Sequence, residues 1–195
     1  MRKTFLCGLA AASVLLAAPP AFAKMVGGRY VASDGAFSIA MEATADKLFK
    51  LDKEGGNADL LVVDFQYATA QAHNGFAQRT VEWIKLAAPV DPMQFDVQAS
   101  ETVKGYLEGR FGTGAFTVAG RSKQRNAAGQ LIYSFTATGA VNGKPASWSG
   151  ALLFFDTGVA LVSQLYTPDT TALLTADGIN DDELAAWAST VRPGT

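Results

Sequence analysis

The chain has 195 residues, 16 basic against 18 acidic, with a net charge of −2, one histidine and one cysteine. That balance argues against a nucleic-acid binder, whose domain would be basic, and disfavours an anionic membrane surface as the main partner.

Residues 1–23 have the pattern of a secretory signal peptide: Arg2 and Lys3, an apolar run from Phe5 to Ala18, then Ala21-Phe22-Ala23 before Lys24. A short basic head, an apolar stretch too brief to span a bilayer and small residues around a bulky one are what a signal peptidase reads. The expected cleavage follows Ala23, and the expected location is the periplasm or an equivalent exported space. Cys7 lies at the front of the apolar region, not at its end where a lipoprotein acylation site would fall. Removing residues 1–23 leaves 172 residues, the size of one domain, with 14 basic against 18 acidic and no cysteine. That excludes a disulfide, a Cys-ligated metal and a Cys nucleophile from the expected domain, 24–195. No later run is long enough to cross a membrane as a helix, which takes about 20 residues.

Val26 to Ala32 is expected as an opening strand, turned at Ser33-Asp34-Gly35 into a second strand carrying Phe37, Ile39 and Met41 on one face. Lys53 to Asn57 is expected as a loop, Leu60 to Tyr67 as a buried strand, and Phe76 to Leu86 as a strand in which Val81, Trp83 and Lys85 alternate with Thr80 and Glu82. Asp91-Pro92 with Gln94 predicts a capped helix start. Phe95, Ala99, Val103, Tyr106 and Leu107 then recur at helical spacing, and Gly112 and Gly114 provide the exit. Four strands follow at close spacing, with turns at Asn126–Gly129, Asn142-Gly143 and Asp156–Gly158. The last of them are apolar on both faces, which predicts cover on each side of the sheet. Pro168 to Gly178 is expected as a loop, with a short turn of helix as the alternative. Asn180–Glu183 predicts the start of a final helix with Leu184, Trp187 and Val191 buried, closed by Arg192 and stopped by Pro193.

These elements predict an α+β fold: an antiparallel sheet of about six or seven strands, with the long helix on one face and the C-terminal helix on or near the other. A lipocalin-like barrel is the alternative, and the capped helix halfway through the strand order argues against it. The order of elements, opening with Asp34-Gly35-Ala36-Phe37-Ser38-Ile39 and closing on a helix after Leu161-Val162-Ser163-Gln164-Leu165-Tyr166, resembles the Mog1/PsbP-like superfamily over most of residues 28–192. The resemblance implies an α/β/α sandwich and a non-enzymatic role in docking onto another macromolecule. It carries no residue-level functional motif over to this chain.

Candidate functional residues are few. His73 lacks a nucleophile-elbow partner, and Trp148-Ser149-Gly150 falls inside a strand, so a Ser–His site is not supported. Asp177, Asp181, Asp182 and Glu183 could attract a hard cation, but their spacing lacks the Ca²⁺-loop rhythm and helix capping accounts for most of them. No catalytic, metal or cofactor residue is therefore assigned. Carboxylate chemistry stays open, because carboxylate pairs appear only in the fold. Arg121, Lys123 and Arg125, spaced by two, would share one strand face and could dock an acidic partner; the plainer reading is a protected sheet edge. Trp83, Tyr133, Trp148 and Phe154, with Phe155, could line a pocket for a small apolar ligand or could be core. The expectation is a non-enzymatic exported protein that binds a partner in the cell envelope, with a ligand carrier as the alternative.

Overall fold

The computed structural model describes residues 24–41, 47–69, 77–166 and 181–194. Two antiparallel sheets form an α+β structure. The larger has seven strands: β4 (Lys47–Gly56), β5 (Leu60–Thr69), β6 (Ala77–Lys85), β7 (Phe116–Arg125), β8 (Leu131–Val141), β9 (Lys144–Phe154) and β10 (Gly158–Tyr166), in the order β4-β5-β6-β10-β9-β8-β7. Helix α1 (Phe95–Phe111) carries the chain across one face from β6 to the far edge at β7. The β7–β10 meander then works inward until β10 pairs with β6, Val162 opposite Val81. Among the described residues the sheet is open, ending on β4 and β7, and does not close into the barrel alternative.

The smaller sheet joins β1 (Lys24–Val26), β2 (Arg29–Val31), β3 (Phe37–Ala40) and β11 (Arg192–Pro193). Here the structure corrects two expectations. The opening strand is broken in two, because Gly27 and Gly28 both take positive φ (56° and 73°) and turn β1 back onto β2. Arg192 and Pro193 do not end a helix. Helix α2 (Asp181–Ala188) stops earlier, the Thr190 hydroxyl donates to the Trp187 carbonyl, and residues 192–193 pair with β3. Val191 is buried as expected, though in the turn after the helix. A third correction falls on Lys53 to Gly56, expected as loop: β4 runs through it, with a bulge between Leu51 and Lys53, and the turn begins at Asn57, whose side chain accepts from the Asp59 and Leu60 N–H groups.

The turn chemistry elsewhere follows the sequence. Asn142 and Gly143 take φ of 52° and 76° and join β8 to β9, with Val141 opposite Lys144. Asp91 caps a 3-10 turn (Pro92–Gln94) by accepting from the Met93 N–H at 2.9 Å, but the expected capping box is not formed: Gln94 is itself the N-cap of α1 and its side chain makes no cap hydrogen bond. The helix buries Ala99, Val103 and Leu107, one residue per turn.

Both faces of the central strands are covered, as the double-sided apolarity predicts. On one side Leu152 and Leu161 pack under α1 with Tyr133, Phe135 and Trp148. On the other, Leu153 and Val162 join Phe65, Trp83, Leu184 and Trp187 beneath α2 and the small sheet. The small sheet is tied to the segment around α2: Trp187 Nε1 donates to the Ala40 carbonyl at 2.7 Å, and Arg29 Nη2 donates to that of Thr190 at 2.6 Å.

Candidate functional site

Two charged features flank α1, one at each end. The first is a half-buried polar centre that strand register builds. Asp64 on β5 and Ser163 on β10 both lie opposite Thr80 of β6, and Glu82 follows two residues on. All four side chains therefore share the face that α1 covers. From the helix, Tyr106 and Arg110 stand one turn apart and reach down. The Thr80 hydroxyl donates to Asp64 Oδ1 at 2.7 Å, and the Tyr106 and Ser163 hydroxyls meet at 3.1 Å. Arg110 lies between the two carboxylates, 3.7 Å from each, and its guanidinium sits 5.8 Å over the Tyr106 ring. The Asp64 and Glu82 side chains are only 15% and 12% exposed, so these charges interact through a poorly screening medium.

Burial pushes the Glu82 carboxyl up to about 7, against the opposing pull of Arg110 and with a further push from Asp64. Tyr106 is also raised, foremost by burial. Chemically, Glu82 can hold or release a proton near neutrality, and Arg110 can bridge helix and sheet. The carboxylate does not line any of the three clefts described below. Through Arg110 the centre ties the C-terminal half of α1 to β5 and β6.

The second feature is the basic stripe. Arg121, Lys123 and Arg125 lie on β7, opposite Phe135, Tyr133 and Leu131 of β8, and so share the α1 side of the sheet. All three are exposed, on the outermost strand. Each has a local contact. Arg121 Nη1 donates to Ser100 Oγ at 3.2 Å, Lys123 Nζ to both oxygens of Asp96 at 3.0 and 3.1 Å, and Arg125 Nη1 to the Gly129 carbonyl at 2.5 Å. Hydrogen bonds from Lys123 and then Tyr133 hold the Asp96 carboxyl below its ordinary range. Burial, helped by Asp96, pushes the Tyr133 hydroxyl up to about 12. Arg121, Lys123, Ser100 and Tyr133 frame a cleft of about 280 Å³ between helix and strand.

The chain matches no protein-family model and no curated protein sequence.

The structure does not assemble the four aromatic residues expected to line one pocket. Tyr133, Trp148 and Phe154 lie under α1, where Phe154 stacks on Phe95 at 4.7 Å and Trp148 packs 5.3 Å from Tyr106. Trp83 is on the opposite face, stacked on Phe37 at 5.9 Å and beside Phe155 at 5.5 Å. Alternation decides this: Trp83 is one residue from Glu82 and so points away from α1. Trp83 instead forms part of a separate cleft of about 510 Å³, with Asp34, Asn57, Asp59 and Lys85 on its walls.

His73, Asp177 and the rest of the expected Pro168–Gly178 loop lie outside the described residues, as do the side chains of Asp181 and Asp182. Among the described residues, no group of three or more His, Cys, Asp or Glu side chains could hold a metal, and no helix is long and apolar enough to cross a membrane. Sequence reasoning missed Asp64, Glu82 and Arg110. One signal was present: Asp64 interrupts the apolar strand Leu60-Leu61-Val62-Val63 before Phe65, and Glu82 sits between Val81 and Trp83. An acid inside an apolar strand needs a partner.

Proposed function

We propose that this chain is a non-enzymatic exported protein that binds or stabilises an acidic protein partner in the cell envelope, built as a Mog1/PsbP-like α/β/α sandwich. The observation that carries the reading is the β7 stripe: three exposed cations on the outermost strand of the large sheet, in a chain whose overall balance is acidic. The sandwich reading draws support from α1 and α2 packing on opposite faces of that sheet. Export draws support from the basic, apolar and Ala21-Phe22-Ala23 pattern ahead of Lys24.

The test is in-cell cross-linking of the protein exported by its own leader, beside the R121E/K123E/R125E variant. The exported form should begin at Lys24. One partner should cross-link to the wild type and disappear with the variant, while both proteins melt cooperatively. A partner retained by the variant removes the stripe from the reading, and a form still carrying residues 1–23 removes cleavage.

The cleft beside Trp83 favours a second reading, a carrier of a small molecule. Its volume of about 510 Å³ lies within the range of ligand sites, and its walls combine an indole with Asp34, Asp59 and Lys85. Native mass spectrometry of the purified protein should then show a stoichiometric small molecule that Trp83→Ala releases. A bare mass for the wild type rejects the carrier.

A further inference from the structure

We infer that β7 takes its partner by strand addition, and that the segment it accepts is extended, with carboxylates at alternate positions and small hydroxyl residues between them. The inference rests on the docking reading above and specifies its mode. β7 is the last strand of the large sheet, paired on one side with β8 and with no strand on the other among the described residues. In such a strand alternate N–H and C=O groups point away from the sheet, which makes it a template for another chain.

Three observations select the occupant. First, the register is regular where the cations lie. A bulge falls between Val118 and Gly120, but Gly120 to Arg125 pairs without interruption against Thr136 to Leu131. That leaves six residues, about 20 Å of strand, for pairing.

Second, β7 carries cations and no acid. Residues directly opposite in an added strand lie about 5 Å away on the same face, so those facing Arg121, Lys123 and Arg125 would be carboxylates. Asp96 demonstrates the fit, since its carboxylate already bridges to Lys123 from the helix side. A second copy of this chain fits poorly, because pairing β7 with itself brings cations together, and like charges across strands destabilise.

Third, the other face of β7 is shallow. Gly120 and Ser122 lie beside Ser134, Thr136 and Ser149, with Ala151 and Leu184 also around a cleft of about 230 Å³. The alternate residues of an added strand would lie directly beside Gly120 and Ser122, whose small size suits Ser or Thr. The opposite edge, β4, differs in each respect. It mixes Lys47, Lys50 and Lys53 with Asp52 and Glu54, has its bulge in the middle, and turns Glu54 toward the small sheet, where it accepts from the Tyr30 hydroxyl and the Ser33 N–H.

The test uses the full mature chain and two fluorescein-labelled synthetic peptides of one composition. One alternates glutamate with threonine; in the other the glutamates are contiguous. The alternating peptide should bind at least about tenfold more tightly by fluorescence anisotropy. On binding, amide exchange should slow within Gly120–Arg125, and the R121E/K123E/R125E variant should lose the interaction. If that variant does not fold, the neutral R121Q/K123Q/R125Q variant replaces it with the same expectation. Equal affinity for both peptides, abolished by the variant, overturns strand addition and leaves docking by the stripe intact. Binding of neither peptide overturns both. Protection outside β7, or self-association through β7 with no peptide bound, also overturns strand addition.

Discussion

Helix α1 is fastened to the sheet at both ends by a cation and a carboxylate, yet the two fastenings differ in kind. Near its start, Asp96 holds Lys123 in the open, with the two side chains 68% and 48% exposed. Near its end, Arg110 holds Asp64 and Glu82 beneath the helix, at longer range but largely out of water. Distance alone would rank the first as stronger. Solvent reverses the order, because exposed pairs are screened and add little to stability, whereas removing one partner of a buried set strands a desolvated charge. The shorter contact adds little to the fold, and the longer one holds it.

The largest expected effect lies at the buried end. Glu82 is raised in the folded state to about 7 from an ordinary 4.5. The folded form therefore holds the proton more tightly than the unfolded chain. The stability this group contributes is full below its unfolded value and is lost as pH rises through its folded value. Between about pH 5 and pH 8 the loss is on the order of 3 kcal/mol. Urea titrations should show that slope in the wild type and a flatter one in Glu82→Gln. An unchanged slope would place the titration elsewhere.

Arg110→Met comes next. It should cost about 2 kcal/mol at high pH, where both acids are charged, and less once Glu82 is protonated. A loss that does not vary with pH would show that Arg110 works by packing alone. Tyr106→Phe removes the hydroxyl that meets Ser163 and should cost roughly 1 kcal/mol. Lys123→Met closes the series at the exposed end. Its melting temperature should match the wild type, and a clear drop would mean that the surface contact also holds the helix.

The two ends also differ in how far they could be seen in the sequence. The stripe was legible because it is local: three cations at a spacing of two share a face on any strand, wherever that strand lies in the sheet. The turn at Asn142-Gly143 was legible for the same reason, since backbone conformation there depends on the two residues themselves. The Asp64–Glu82–Arg110 centre was not. It depends on the register of β5 against β6 and on where Arg110, 28 residues downstream of Glu82 on α1, comes to lie, and neither is written in any short stretch. The misjudged elements follow the same line. Gly55 and Gly56 suggested a loop, but pairing with Val62 and Leu61 draws them into β4. Pro193 suggested a plain stop, and it lies instead in the two-residue β11, opposite Phe37 of β3. Trp83 was grouped with Trp148 on aromatic character alone, and the sheet put them on opposite sides.

The small sheet sets a clock on folding. Its β2–β3 hairpin is made early, yet the groups that hold it, from Trp187 to Gly194, are made more than a hundred residues later. One of those bonds spans 161 positions. Contacts so distant along the chain form slowly. A polypeptide emerging from a ribosome would carry residues 29–40 without these C-terminal bonds until Gly194 had followed. Phe37 and Ile39, buried in the finished protein, would lack the part of their cover that Leu184, Trp187 and Val191 supply throughout that interval.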